Sequence, residues 1–329
     1  MNITILGAGA WGSALAINLS ARHRITLWAS DAAQIEAMRA TGYNQRYLPE
    51  IPLPQDLNLT ADLHAAFSSV ELILVAVPIA ALRATLQKIA ALPMPIPVIW
   101  ACKGFEADTT QLPHQVAEET LPQNFPRGVL SGPSFALEVA RDLPTAMILA
   151  SVDGKFAKQV AHSLHHSTLR IYSSTDVMGV EVGGAVKNVL AIAAGIAEGM
   201  GYGQNARAGL ITRGLAEMTR LGLKMGVRAE TLGGLSGAGD LILTCIGDLS
   251  RNRQVGILLA QQHALPDILS QLGHVAEGVY TVREVHLLAQ RLGVDMPICA
   301  AVYSVLYEQV SAASAVEALL NRAPNSEFN

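Results

Sequence analysis

The chain has 329 residues, half of them hydrophobic and 15 % charged, with a formal net charge of −4. A single core stops growing near about 250–300 residues, so two domains are expected, and the charge balance excludes the basic face that nucleic-acid binding requires. Three cysteines without CxxC spacing exclude a disulfide framework and fit a reducing compartment.

Mean hydropathy is +0.32, which points to much buried helix or to an oligomer interface. The apolar run 189–197 is stopped by Glu198 and reads as too short for a membrane span. A strand directly after Met1 leaves no room for a signal peptide. A cytoplasmic enzyme or binding protein is therefore expected, and an acidic substrate is compatible with the charge because a site needs only a few local cations.

The first predicted elements carry the first motif. "ITILGAGAWGSALA" (3–16) sets Gly7, Gly9 and Gly12 between a strand and a helix. In that context GxGxxG reads as a dinucleotide loop, the plainer alternative being a glycine-rich turn with no ligand. Gly7 permits the tight turn, Gly9 admits the pyrophosphate to the backbone, and Gly12 allows helix and strand to pack closely. The phosphates sit on the helix N-terminus at Ala10, with Trp11 beside the diphosphate. The next strand, "ITLW", runs into Ser30 and Asp31. An acid at this edge favours NAD and basic groups favour NADP. Ser30 is neutral and small and Asp31 falls one residue late, where it serves equally well as a helix cap.

The Pro-rich stretch 41–60 reads as an irregular surface insertion. Further strands follow at "ELILVAVP", "PVIWACKG", "GVLSGPS", "TAMILAS" and "LRIYS", with helices at 79–91 and 154–165 between them. The alternation predicts an α/β fold: an N-terminal Rossmann domain with a doubly wound, mainly parallel sheet. "WACKGFE" puts Lys103, and "VLSGPSFALEVA" puts Gly132, Ser134 and Ala136, at C-terminal strand ends, the ligand edge of such a sheet. The plainer alternatives are a solvated lysine and a turn in which Ser134 caps a helix. The "HSLHH" histidines (His162, His165, His166) lack a paired carboxylate or cysteine and read as a solvated helix face, not a metal site.

From 177 helical periods take over, predicting an all-helical domain over 177–329 after a dinucleotide-binding domain over 1–176. "GGAVKNVLAIAAG" (183–195) places Lys187 and Asn188 in a small, apolar helix, with Gly183, Gly184 and Ala191 on the lysine's face. The missing bulk suggests room for a ligand. "GLSGAGDLILTC" brings Asp240 and Thr244 to one helix face at i, i+4, where the aspartate can hold an ammonium or act as an N-cap. "DLSRNRQVG" sets Ser250, Arg251 and Asn252 at a helix start, suited to a phosphate. The plainer alternative is a surface arginine for which Arg253 would serve equally well. The tail "APNSEFN" reads as frayed.

In order and spacing, "GAGAWG", "CKGFE", "SGPSFA", "GGAVKNVLAIAAG", "LSGAGDL" and "SRNR" resemble the bacterial-type NAD(P)-dependent glycerol-3-phosphate dehydrogenases across essentially the whole chain. The resemblance implies substrate held between the two domains. It implies reversible reduction of dihydroxyacetone phosphate to sn-glycerol 3-phosphate, feeding glycerophospholipid synthesis, with NADP or NAD as cofactor and NADPH slightly favoured. It makes Lys187 the general acid/base, lets Lys103 touch substrate and cofactor, and makes Asp240 and Thr244 supports of the site. Ser250, Arg251 and Asn252 would bind the phosphate, Arg251 also meeting the cofactor. Ser134, Ala136, Val275 and Glu277 match the remaining contact positions, with Gly132 beside the substrate. Many relatives carry a basic residue or histidine where this chain has Ser30. A homodimer is expected from the apolar content. Two alternatives are a β-hydroxyacid-type dehydrogenase, whose substrate bears a carboxylate, and a non-catalytic dinucleotide sensor. "SRNR" argues against the first, and Lys187, Lys103 and Asp240 together argue against the second.

Overall fold

The computed structural model describes residues 1–273 and 276–323. The chain forms two compact units: residues 1–106 with 111–181, and residues 107–110 with 182–329.

The first unit alternates strand and helix. Its elements are β1 (Asn2–Leu6), α1 (Ala10–Ser20), β2 (Arg24–Trp28), α2 (Ala32–Thr41), β3 (Tyr43–Asn44), β4 (Leu48–Pro52), β5 (Asn58–Thr60), α3 (Leu63–Ala66) and β6 (Leu72–Val75). After these come α4 (Leu82–Ala90), β7 (Val98–Trp100), α5 (Pro113–Thr120), β8 (Arg127–Ser131), α6 (Ala136–Ala140), β9 (Thr145–Ala150), α7 (Gly154–Leu164) and β10 (Leu169–Ser174). The sheet order is β10-β9-β8-β7-β6-β1-β2-β5. All its pairings are parallel except β8 with β9. Both faces are covered, so strands read as unbroken apolar runs. Along β6, Leu72 and Leu74 enter one core while Ile73 and Val75 enter the other.

Three sequence expectations change here. The stretch 41–60 is not irregular: β3 and β4 form an antiparallel hairpin and β5 adds an edge strand to the main sheet. Leu48 of the hairpin packs with Ala14, Val139 and Ala140, which gives the insertion an anchor. The "HSLHH" histidines are not one solvated face. His165 ends α7 and its ring accepts from the Ile171 N–H, while His166 bonds Asn18 Oδ1 at 2.8 Å. Among the described residues no group of three or more His, Cys, Asp or Glu could hold a metal ion.

The third change concerns the helix α8 (Val177–Gly199). It is longer than the apolar run suggests, and long and apolar enough by composition to cross a bilayer, yet its apolar window is wholly buried in protein. The two compact units divide inside it, at 181/182. Val177 and Val180 pack in a core of the first unit. Glu181 is buried there as well, accepting from Trp100 Nε1 at 2.7 Å and pairing with His114 Nδ1 at 2.5 Å. Burial works against a charged His114, but the hydrogen bond and charge of Glu181 outweigh it and raise its pKa.

The second unit is helical: α9 (Gln204–Lys224), α10 (Ala229–Gly233), α11 (Asp240–Ile246), α12 (Arg251–Ala260), α13 (Leu265–Leu272), α14 (Glu277–Leu292), α15 (Pro297–Tyr307) and α16 (Ala312–Leu320). It is built round α8, whose residues 182–197 are all buried. Close approach is made by glycines. A Cβ on Gly195 would collide with the Arg253 carbonyl, and one on Gly256 with the Ile192 carbonyl, so α8 and α12 meet backbone to backbone. Glu217 on α9 is buried and accepts from the N–H groups of Ile298 (2.7 Å) and Cys299 (3.1 Å) at the start of α15. Desolvation lifts its carboxyl to about 7 against those donors. The tail from 324 lies outside the described residues.

Candidate functional site

In the first unit the C-terminal strand edge gathers two groups of candidates. Gly7 leaves β1 with φ +112°, a conformation that suits glycine, and its N–H bonds the Trp28 carbonyl at 2.9 Å. A Cβ on Gly12 would strike the Gly7 carbonyl, so helix and turn can touch only without a side chain. Gly9 caps α1 by backbone alone, and no heavy atom lies within 4 Å of the place its Cβ would occupy. The first turn of α1, at Ala10 and Trp11, carries no acidic residue and no capping side chain. Open space before uncapped N–H donors is what a diphosphate needs. Trp11 itself packs partly buried beside the Ala14–Leu48–Val139 cluster.

Two residues that sequence reasoning missed shape this loop. Asn44, buried on β3, donates to the Ala8 carbonyl at 2.9 Å and to Ser13 Oγ at 2.7 Å. Gln34 donates to the same carbonyl at 2.7 Å. Both lie far from the motif in sequence, so only the tertiary fold reveals them. Ser30 stands exposed at the end of β2. Asp31 caps α2, accepting from Ala33 (3.0 Å) and Gln34 (3.2 Å) N–H groups.

The second group converges on one carbonyl. Lys103 Nζ donates to Gly132 O at 3.3 Å and Ser134 Oγ donates to it at 3.1 Å. Gly132 has φ +130°, a conformation that suits glycine. Ser134 is not a helix cap: α6 begins at Ala136, with Phe135 at the cap.

In the second unit Lys187 is buried. Its ammonium donates to Asp240 Oδ1 and, at 2.9 Å, to Thr244 Oγ1, which in turn donates to the Asp240 carbonyl at 2.6 Å. Asp240 is fully buried and is not an N-cap, that place being taken by Gly239. It follows a π-turn, Leu235–Gly239, of the kind common at functional sites. A Cβ on Gly183 would collide with the Ser236 carbonyl. The small face next to Lys187 thus accepts at Gly183 not a ligand but the backbone that delivers Asp240. A charge pair in the interior is costly unless well partnered, and here the ammonium has both a carboxylate and a hydroxyl. Cys245 lies buried nearby, its thiol pushed up by desolvation to about 12 despite the Lys187 charge.

Asn188, one residue on, accepts from Asn252 Nδ2 at 3.0 Å, and Asn252 Oδ1 accepts from the Gly278 N–H at 3.0 Å. This chain fixes the start of α14, whose first residue is Glu277. Val275 lies outside the described residues. Ser250 caps α12, accepting from the Arg253 N–H at 3.2 Å, and Arg251 is its exposed first residue. Arg253 is not a solvated equivalent of Arg251. It is buried, with a fork on both oxygens of Glu198.

Known proteins resemble this chain over its whole length. Residues 2–157 match the N-terminus, and residues 176–317 the C-terminus, of NAD-dependent glycerol-3-phosphate dehydrogenase. The chain belongs to this family. It is 58 % identical to the glycerol-3-phosphate dehydrogenase [NAD(P)+] of Nitrosomonas eutropha over 99 % of both chains, and 58 % identical to that of Nitrosospira multiformis over the full length of both. A glycerol-3-phosphate dehydrogenase crystal structure from Coxiella burnetii superposes with a TM-score of 0.93 at 41 % identity, covering 98 % of this chain and 99 % of that one. D-Mandelate dehydrogenase shares the fold alone, at 17 % identity and a TM-score of 0.61.

Proposed function

We propose that the chain catalyses the reversible NAD(P)H-dependent reduction of dihydroxyacetone phosphate to sn-glycerol 3-phosphate. The observation that carries the reading is the buried Lys187–Asp240–Thr244 cluster. When bound, the reduced nicotinamide supplies a hydride to the carbonyl carbon. Negative charge develops on the carbonyl oxygen, and the Lys187 ammonium neutralises it by donating a proton; in the reverse direction the neutral amine takes it back. Asp240 and Thr244 hold Nζ in place.

The loop of Gly7, Gly9, Ala10, Trp11 and Gly12 fits a dinucleotide diphosphate, and Ser30 meets the adenine ribose of NADP or NAD. Ala136, Val275 and Glu277 complete the cofactor contacts with Lys103 and Arg251. Lys103, Gly132 and Ser134 orient the three-carbon substrate, and Ser250, Arg251 and Asn252 take its phosphate. The product is the backbone for glycerophospholipid synthesis, and the enzyme works as a cytoplasmic homodimer.

The test is oxidation of NADPH and NADH with dihydroxyacetone phosphate, in wild type and in Lys187→Ala. Wild type turns over and the variant binds cofactor but loses turnover. A wild type inactive with this ketone refutes the proposal, and an active variant moves the proton donor elsewhere. The NADPH:NADH ratio gives the preference that Ser30 leaves open.

A further inference from the structure

The structure separates the two arginines of "SRNR". Arg251 is exposed, whereas Arg253 has only 9 % of its side chain exposed. Its Nε and Nη2 reach the two Glu198 oxygens at 2.7 and 2.6 Å, and its Nη1 donates to the Gly247 carbonyl at 3.3 Å and to Asp248 at 2.9 Å. Glu198 also holds Arg207 of α9 at 2.7 Å. One guanidinium therefore ties the last turn of α8, the Gly247–Asp248 loop and the first turn of α12. Lys187 lies three turns earlier on the same unbroken α8.

We propose that Arg253, clasped by Glu198, is a positioning residue for the substrate phosphate: it fixes where α12 presents Arg251 relative to Lys187. The inference rests on the assignment of the phosphate to Ser250, Arg251 and Asn252 made above. A buried ion pair is poor evidence for stability alone. A planar fork with four acceptors sets direction, which a lysine point charge does not. At Gly195 and Gly256 the two helices meet backbone to backbone, so the clasp at Arg253 acts directly where α8 and α12 touch.

Steady-state kinetics test this with dihydroxyacetone phosphate and with dihydroxyacetone, the same ketone without its phosphate. Arg253→Ala is expected to raise KM for the phosphorylated ketone roughly ten- to a hundredfold, with kcat changed far less. Its kcat/KM for dihydroxyacetone stays within about twofold of wild type, because Lys187 and its partners are untouched. Arg253→Lys keeps the charge and shows most of the KM rise. In an Arg251→Ala background, Arg253→Ala adds far less than it does alone, since the guanidinium it aims is gone and only the weaker contacts of Ser250 and Asn252 remain to be placed. Glu198→Gln, which loosens the clasp without emptying its space, gives the same substrate-selective pattern if Arg253→Ala does not fold. Equal losses on both ketones, or additive effects in the double variant, overturn the proposal. An Arg251→Ala variant with unchanged KM for dihydroxyacetone phosphate overturns the phosphate assignment itself, and the inference with it.

Discussion

The strand edge of the first unit and the helical cluster of the second achieve the same end, placing an ammonium group, by opposite means. In the first, backbone does the placing: Gly7, Gly12 and Gly132 turn or approach where no side chain fits, and Lys103 rests on a glycine carbonyl. In the second, side chains do it, with Lys187 held by Asp240 and Thr244. A backbone-built site depends on conformation and open space. A side-chain-built site depends on charge inside a low-dielectric core, where each unpaired partner is costly.

That contrast can be broken in order of effect. Lys187→Ala should lower kcat by a hundredfold to ten-thousandfold, the range lost with a general acid, while Gly9→Ala should leave kcat nearly unchanged at saturating cofactor. A pH series sharpens the electrostatic half. Glu217 binds its proton more tightly folded than unfolded, so its contribution is complete below about pH 4.5 and is lost as pH rises through about 7. Wild type should lose on the order of 3 kcal/mol relative to Glu217→Gln across that window in denaturant titrations; parallel pH profiles would disprove the assignment. Gly9→Ala should then weaken NAD(P)H binding roughly tenfold by fluorescence titration, because its Cβ enters the diphosphate's space, while the melting temperature holds. A fall in Tm instead would show that Gly9 is structural. Smallest is Asp31→Ala, which removes the α2 cap and should lower the Tm of the first unit by roughly 2–4 °C with cofactor preference unaltered.

The same contrast explains what the sequence made legible. Glycines at forced turns leave a local signature, so the Gly7–Gly12 loop and the seven main strands were readable one motif at a time. Asn44 was not, because its partners Ala8 and Ser13 lie more than thirty residues upstream in a stretch whose prolines disguise β4 and β5. Lys187 and Asp240 stood out as polar groups in apolar helices, but Gly183 misled: a missing side chain looks alike whether a ligand or a neighbouring backbone fills the gap. Arg251 and Arg253 sit two positions apart with the same chemistry, and only the position of Glu198, 55 residues upstream of Arg253, tells exposed from clasped.

The three cysteines turn this architecture into a clock. Cys102, Cys245 and Cys299 are all buried, and desolvation keeps the Cys245 and Cys299 thiols protonated at neutral pH. In alkylation the thiolate is the attacking nucleophile, so the native chain should label slowly, at a rate set by opening. Modification of Cys245 must wait for α11 to move, and with it the Asp240 that holds Lys187. Cys102 reports instead on the first unit, at the end of β7. Mass-resolved alkylation at the two sites, with and without cofactor, would time the loosening of each unit separately in the same tube.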